Sequence, residues 1–348
     1  MSLKSLIVFV IVTIITIVAA GISVTNTYKV HKIGFTDKPV IPNFAENAIG
    51  VTEITVENSD RKITVKRDGE NWKILERQNY LASNQRVADL LLNLSEIRYR
   101  EAKTTNAGKY RRLHVEDVSG KGAKSTLLSV KSKNGELVRL IVGKENTDVV
   151  GPSNGGRYIR NPNDKQSWLV SGRLDVPSEV NTWVDPELLH VASNRIKRVI
   201  VTQPNGQKMI VSRADKEKFK IDNMPNGGVV EYQSDINNMA DGLDKLEFED
   251  VMARGKIEFI KNKTISTQIE TGDGLIMNVR LIDINDGNFW SAISAFSNKS
   301  ASELVKKEVN KINNKVSNWV YQLPSHKYRY MSRKFSDVLK GPKSEKDK

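Results

Sequence analysis

A chain of 348 residues without cysteine has no thiol nucleophile, no disulfide and no site for a lipidated Cys. Its formal net charge of +13 comes from 54 Lys and Arg set against 41 Asp and Glu. The two signs are interleaved, with no basic block longer than runs such as Tyr110-Arg111-Arg112. The balance therefore reads as a solvated basic surface, not as a nucleic-acid footprint, and its sharper alternative is attraction to anionic lipid or wall polymer.

The segment Leu6–Val24 carries no charge between Lys4 and Lys29. At about 1.5 Å per residue it makes a helix of roughly 28 Å, close to the hydrocarbon thickness of a bilayer. This predicts a transmembrane signal-anchor within residues 1–28, followed by a linker over 29–47. A cleaved signal peptide ending near Val18-Ala19-Ala20 is the competing reading, and the length of the apolar run weighs against it. The short leader favours a single-pass protein of the cytoplasmic (inner) membrane with its body on the periplasmic side. The charge count of Lys29, His31 and Lys32 leans the other way.

Beyond residue 47 the chain repeats itself. The stretch from Val51 and the stretch from Ile196 align with single-residue insertions at the turns. Val51, Ile54, Val56, Ile63, Val65, Trp72 and Ile74 fall opposite Ile196, Val199, Val201, Met209, Val211, Phe219 and Ile221. Alternation of apolar and polar residues predicts three strands in each copy, with one face buried. Asp68-Gly69 and Asn205-Gly206 supply turn signals.

A helix is expected after each three-stranded unit. In the first copy Ser83 caps a stripe of Val87, Leu90, Leu91, Leu94 and Ile97; in the second Ser234 caps Ile236, Met239, Leu243 and Leu246. Further strands are predicted over 125–131, 136–142, 156–160, 167–170, 264–270 and 275–284, and short helices near 179–190 and within 291–318. The expected fold is α+β: an N-terminal transmembrane helix, then two tandem repeats of largely antiparallel sheet with packed helices, over 48–192 and 193–339. The basic tail 340–348 is read as disordered.

These patterns resemble a bacterial family known as domain of unknown function 4340. The resemblance is carried by Val51–Val56, Ile63–Arg67, Gly69–Ile74 and the Ser83–Leu94 helix. It is best at Arg157–Arg160, Trp168-Leu169-Val170 and Trp183–Leu189. It covers about residues 48–255. A proline common before the first helix is replaced by Glu76–Tyr80, and the second copy lacks a Trp-x-Asp counterpart. The resemblance implies a membrane-anchored accessory component beside ABC-type systems similar to gliding-motility permeases, with a permease and extracytoplasmic subunits as partners. It brings no catalytic residues with it.

Chemistry-bearing motifs are sparse. The four His, at 31, 114, 190 and 326, lack a second ligand at metal spacing; Glu116 and Asp117 near His114 are commonplace in a loop. Gly120–Ser125 lacks the spacing of a phosphate loop, and Asp283–Asn288 lacks the distal Glu of a calcium loop. Gly151–Gly156 reads as a flexible loop, and the five Trp as core anchors. No catalytic, cofactor-binding or metal-binding residue is assigned, and no cofactor or nucleic-acid partner is expected. The leading expectation is a non-enzymatic, membrane-anchored extracytoplasmic subunit of an ABC-type transport or envelope complex. The alternative is an extracytoplasmic binding module for anionic lipid, glycan or cell-wall polymer. A hydrolase whose carboxylates meet only in three dimensions comes third.

Overall fold

The computed structural model describes residues 37–148, 155–216, 218–284 and 287–340. The chain forms two compact units. One holds the residues up to Trp72 together with Asn84–Ser178; the other holds Lys73–Ser83 together with the chain from Glu179 onward.

In the first half of the chain a short helix α1 (Phe44–Ala48) precedes β1 (Val51–Glu57), β2 (Lys62–Asp68), β3 (Asn71–Ile74) and β4 (Tyr80–Ala82). Helix α2 (Asn84–Glu96) and β5 (Arg98–Thr104) follow, then the one-turn α3 (Tyr110–Leu113). The run closes with β6 (Thr126–Ser132), β7 (Gly135–Asn146), β8 (Gly156–Arg160) and β9 (Ser167–Ser171). The sheet order is β4-β3-β2-β1-β6-β7-β8-β9-β5. Alternation dictates its faces: Ile54, Val56, Leu128, Val130, Val138 and Leu140 are buried on one side. Val87, Leu90 and Leu94 of α2 are buried as well. Each such side chain stabilises the fold by about 1.5–3 kcal/mol.

The second half contains β10 (Glu187–Leu189), β11 (Ile196–Thr202), β12 (Lys208–Arg213), β13 (Phe219–Ile221), helix α4 (Gln233–Asn237), β14 (Leu246–Glu247) and β15 (Asp250–Ala253). After these come β16 (Ile265–Thr271), β17 (Leu275–Asp283), β18 (Phe289–Ser297), α5 (Glu303–Val316), β19 (Trp319–Gln322) and α6 (Ser325–Ser332). Its main sheet runs β13-β12-β11-β16-β17-β18-β19-β15, with β10 and β14 paired apart from it.

The two orders coincide strand for strand from β3 to β5 and from β13 to β15. The registers coincide too. Ile54 lies opposite Val65 and Val130; Val199 lies opposite Val211 and Ile269. Both central strands shift register at the same place, between Val51 and Glu53 and between Ile196 and Arg198. A bulge reproduced at an equivalent position is a designed feature of the strand, which it bends and twists.

The edges differ. Strand β18 pairs with β19 only at Trp290 and Ser291. Further along, α5 lies against it, and Asn313 meets both backbone groups of Ala295. Its Oδ1 accepts from the Ala295 N–H and its Nδ2 donates to the Ala295 carbonyl, both at 2.9 Å. Ser302 caps this helix by accepting from the Val305 N–H at 3.4 Å.

Several expectations are corrected. Among the described residues no helix is long and apolar enough to cross a membrane. The longest, α2 and α5, have 13 and 14 residues. At 1.5 Å per residue they reach only about 20 Å, and each carries a polar face. The anticipated span Leu6–Val24 lies outside the described residues. What is found is an α+β fold with two large antiparallel sheets. The anchor helix, the inner-membrane location with a periplasmic body, and the accessory-subunit function built on them have no support in it.

The helix expected from Ser234 to Leu246 is broken. Helix α4 gives way at Asn238 to 3₁₀ turns ending at Leu243, and Leu246 begins β14. Ile236, Met239 and Leu243 are nonetheless buried. Within the 3₁₀ stretch α6 comes so close that only glycine fits: a Cβ on Gly242 would sit 2.5 Å from Cγ of Met331. The region 179–190 holds a 3₁₀ turn over Val180–Thr182 and strand β10 in place of a helix.

Candidate functional site

The face of the second sheet opposite its core is polar and concave. The same alternation that buries Val199, Val201, Thr267, Ile269, Met277 and Val279 turns their neighbours outward. Pairing sets these neighbours in transverse rows. One row runs Lys208, Thr202, Ser266, Arg280 and Ala292 across five strands. The next runs Ile200, Gln268, Asn278 and Ser294. Together with Arg254 they line a groove of about 440 Å³.

Among the described residues three cations and no carboxylate line this groove. Arg254 is anchored at its rim, with Nη1 donating to the Ser317 carbonyl at 2.8 Å. The Arg280 guanidinium lies 4.9 Å from the centre of the Phe259 ring. An aromatic face orients a guanidinium without neutralising it. Phe259 belongs to the connection from β15 to β16, residues 254–264. With Ile257 and Met252 it packs on Ile282, Trp290, Ala292 and Val320. That connection covers one side of the face and leaves the strands β11, β12 and β16 open.

The equivalent face of the first sheet is closed. Its connection from β5 to β6 spans residues 105–125. Tyr110 and Val115 from this segment pack on Ile141, with Leu113, Leu127 and Tyr158 around them. Arg160 is 4% exposed beneath it. Its Nε donates to the Val115 carbonyl at 2.9 Å, its guanidinium lies 4.7 Å from the Tyr110 ring centre, and Asp117 pairs with it. At Gly143 a Cβ would come within 2.3 Å of the Leu113 carbonyl oxygen, so the covering backbone needs a glycine under it.

A further hollow of about 610 Å³ lies at one end of the first sheet, lined by Arg67, Lys133 and Glu46 among others. Its guanidinium is spent on backbone: Arg67 Nη1 donates to the Ile49 carbonyl at 3.0 Å and Nε to the Gly69 carbonyl at 3.2 Å.

The motifs considered in the sequence serve local structure. His114 ends α3 with a left-handed φ of 56°. Glu116 accepts from the Lys124 N–H at 2.9 Å. In Gly120–Ser125, Lys121 O accepts from Arg111 Nη2 at 2.7 Å. His190 Nδ1 lies 3.0 Å from Asp244 Oδ1, and His326 meets the Tyr330 ring edge. Asp283 accepts from the Gly287 N–H at 3.1 Å, while Asn285 and Asp286 lie outside the described residues. His31 and most of Gly151–Gly156 lie outside them as well. Among the described residues no three His, Asp or Glu are grouped to hold a metal. Trp72, Trp183 and Trp290 are buried core residues.

Sequence reading missed the groove because its cations are scattered along the chain and meet only through strand register. One readable signal pointed there: the connection that covers the face is 21 residues in the first copy and 11 in the second.

No curated protein and no solved structure matches this chain. Residues 72–265, more than half its length, match the family described as Domain of unknown function (DUF4340), and the chain belongs to that family.

Proposed function

We propose that this protein is a non-enzymatic binding module that takes an anionic glycan or wall polymer into the groove on its second sheet. The observation that carries the reading is the lining: Lys208, Arg254 and Arg280 face one concavity that, among the described residues, no carboxylate shares. Opposite charge brought near such a low-dielectric wall is attracted more strongly than over an open surface. Beside the apolar Ile200, Val279 and Ala292, the lining includes Thr202, Ser266, Gln268, Asn278 and Ser294, hydroxyls and amides that both donate and accept. That is the hydrogen-bonding complement of a sugar or polyol. Among the described residues the groove is lined by no His, Asp or Glu to serve as acid or base, which favours binding over hydrolysis. A concave channel flanked by the 254–264 connection also suits a chain better than a flat bilayer.

The test is titration of the full-length protein with polygalacturonate, with its fully methyl-esterified form, and with anionic vesicles, at low and moderate salt. Saturable binding to polygalacturonate that weakens with salt, and none to the neutral ester, is expected. Binding to vesicles alone would transfer the reading to a lipid surface. No binding to any polyanion at low salt would remove it.

A further inference from the structure

We infer that the groove holds its polymer crosswise, perpendicular to the strands, with two anionic groups engaged at once by Lys208 and Arg280. The inference rests on the binding reading above and specifies its geometry.

Register places the two cations in one row. Lys208 on β12 is opposite Thr202 on β11, Thr202 is opposite Ser266 on β16, and Ser266 is opposite Arg280 on β17. Residues directly opposite one another share a face, so all four project to the same side. Three strand spacings separate the ends, about 14 Å at roughly 4.8 Å each. Between the cations lie only hydroxyl groups, with Gln268 and Asn278 in the adjacent row.

The lengthwise routes are unsuitable for a polyanion. Along β16 the outward sequence is Ser266, Gln268, Glu270, and it ends on a carboxylate. Along β17 it is Arg280, Asn278, Ile276, and Ile276 sits opposite Phe296, which is 51% exposed. Along β11 the path leads to Arg198, whose guanidinium lies 3.9 Å from Glu270. Each of these three lengthwise routes therefore meets a negative charge, an apolar pair or a cation already partnered. Only the crosswise row has an unshared cation at both ends. Among the described residues neither Lys208 nor Arg280 has a carboxylate partner.

A crosswise seat imposes a minimum ligand length. An oligomer too short to span about 14 Å engages one cation; a longer one engages both, and the second contact becomes intramolecular.

The experiment is calorimetric titration of the full-length protein with oligogalacturonates of graded length. Affinity should rise more than about tenfold over the step in length that first spans the two cations. Lys208→Gln and Arg280→Gln should each abolish that step, so that long oligomers bind no more than about threefold better than short ones, and the double variant should show no step either. Both positions face outward, so unchanged thermal midpoints confirm folding. Arg198→Gln, on a lengthwise route, should change nothing. A smooth dependence on length, or a tenfold loss on Arg198→Gln with none on Lys208→Gln, would overturn the crosswise seat while leaving binding itself intact. Failure of every oligomer and of polygalacturonate to bind would instead remove the underlying binding reading. Inorganic polyphosphate of matching length, run in parallel, tells a phosphate-bearing polymer from a carboxylated one.

Discussion

The outward faces of the two sheets begin from the same strand order and end in opposite states. In the first unit the 105–125 segment lies down on the sheet and buries a charge, Arg160, beneath Tyr110. In the second, the shorter 254–264 segment covers only Trp290 and its neighbours and leaves cations facing solvent. By register Arg160 corresponds to Ala292, Ile141 to Arg280 and Gly143 to Ile282. Where one copy has a glycine to admit backbone, the other has a large side chain to hold side chains. Where one copy buries its guanidinium, the other displays it. A duplicated scaffold can thus be specialised by the length of one connection and a few outward positions, while the inward positions of both copies stay buried.

This contrast can be broken at its strongest point first. Arg160→Met should destabilise the first unit by about 1–3 kcal/mol, because the Val115 carbonyl loses its buried donor, while the Asp117 carboxylate, 72% exposed, is left to water. Urea denaturation measures it, and a loss below about 1 kcal/mol would mean the cover stands without the guanidinium. Gly143→Ala should cost about 1–3 kcal/mol by overpacking against the Leu113 carbonyl. Faster amide exchange within 105–125 is the accompanying signature, since the cover must lift to make room.

The second unit has a buried cation of another kind. Lys327 is 9% exposed, and its ammonium donates to the carbonyls of Asp241, at 2.8 Å, and Asp244. Burial pushes its pKa down, and the nearby charges of Asp244, Asp241 and Glu247 offset this only in part. In the unfolded chain this lysine keeps its proton up to about pH 10.4. Between the lowered folded value and that pH the unfolded state holds more protons, so stability rises as pH rises. Lys327→Met should flatten that alkaline rise; an unchanged slope in denaturation series across the alkaline range would count against it. The smallest effect belongs to Phe259→Ala, which removes the ring from Arg280. With the packing on Ile282 and Trp290 also lost, it should cost about 1–2 kcal/mol and loosen the 254–264 connection, read as increased protease cleavage there.

The repeat was legible because seven apolar positions recur at period two in both copies, and burial of one face enforces that period wherever a sheet has a core. Val56 opposite Ile63 and Val201 opposite Met209 reproduce the aligned pairs. The helix after β13 was misread because Ile236, Met239 and Leu243 satisfy helical spacing equally well when 3₁₀ turns bury them. Met331, which forbids a Cβ at residue 242, is far along the chain and invisible to local periodicity. The groove was illegible for the same reason. Lys208 and Arg280 look like two of many solvated cations until the pairing of four strands sets them in one row.

Asn313 has a consequence for the protein in a crowded solution. A sheet that has been copied within one chain brings its own template for strand exchange, since each free edge fits its twin as well as its proper neighbour. By meeting both hydrogen-bonding groups of Ala295, a single amide side chain stands in for a missing strand along that part of β18. At that place the copied sheet presents no free backbone pair to a strand of another molecule, so the amide acts as a stopper on an edge that would otherwise be adhesive.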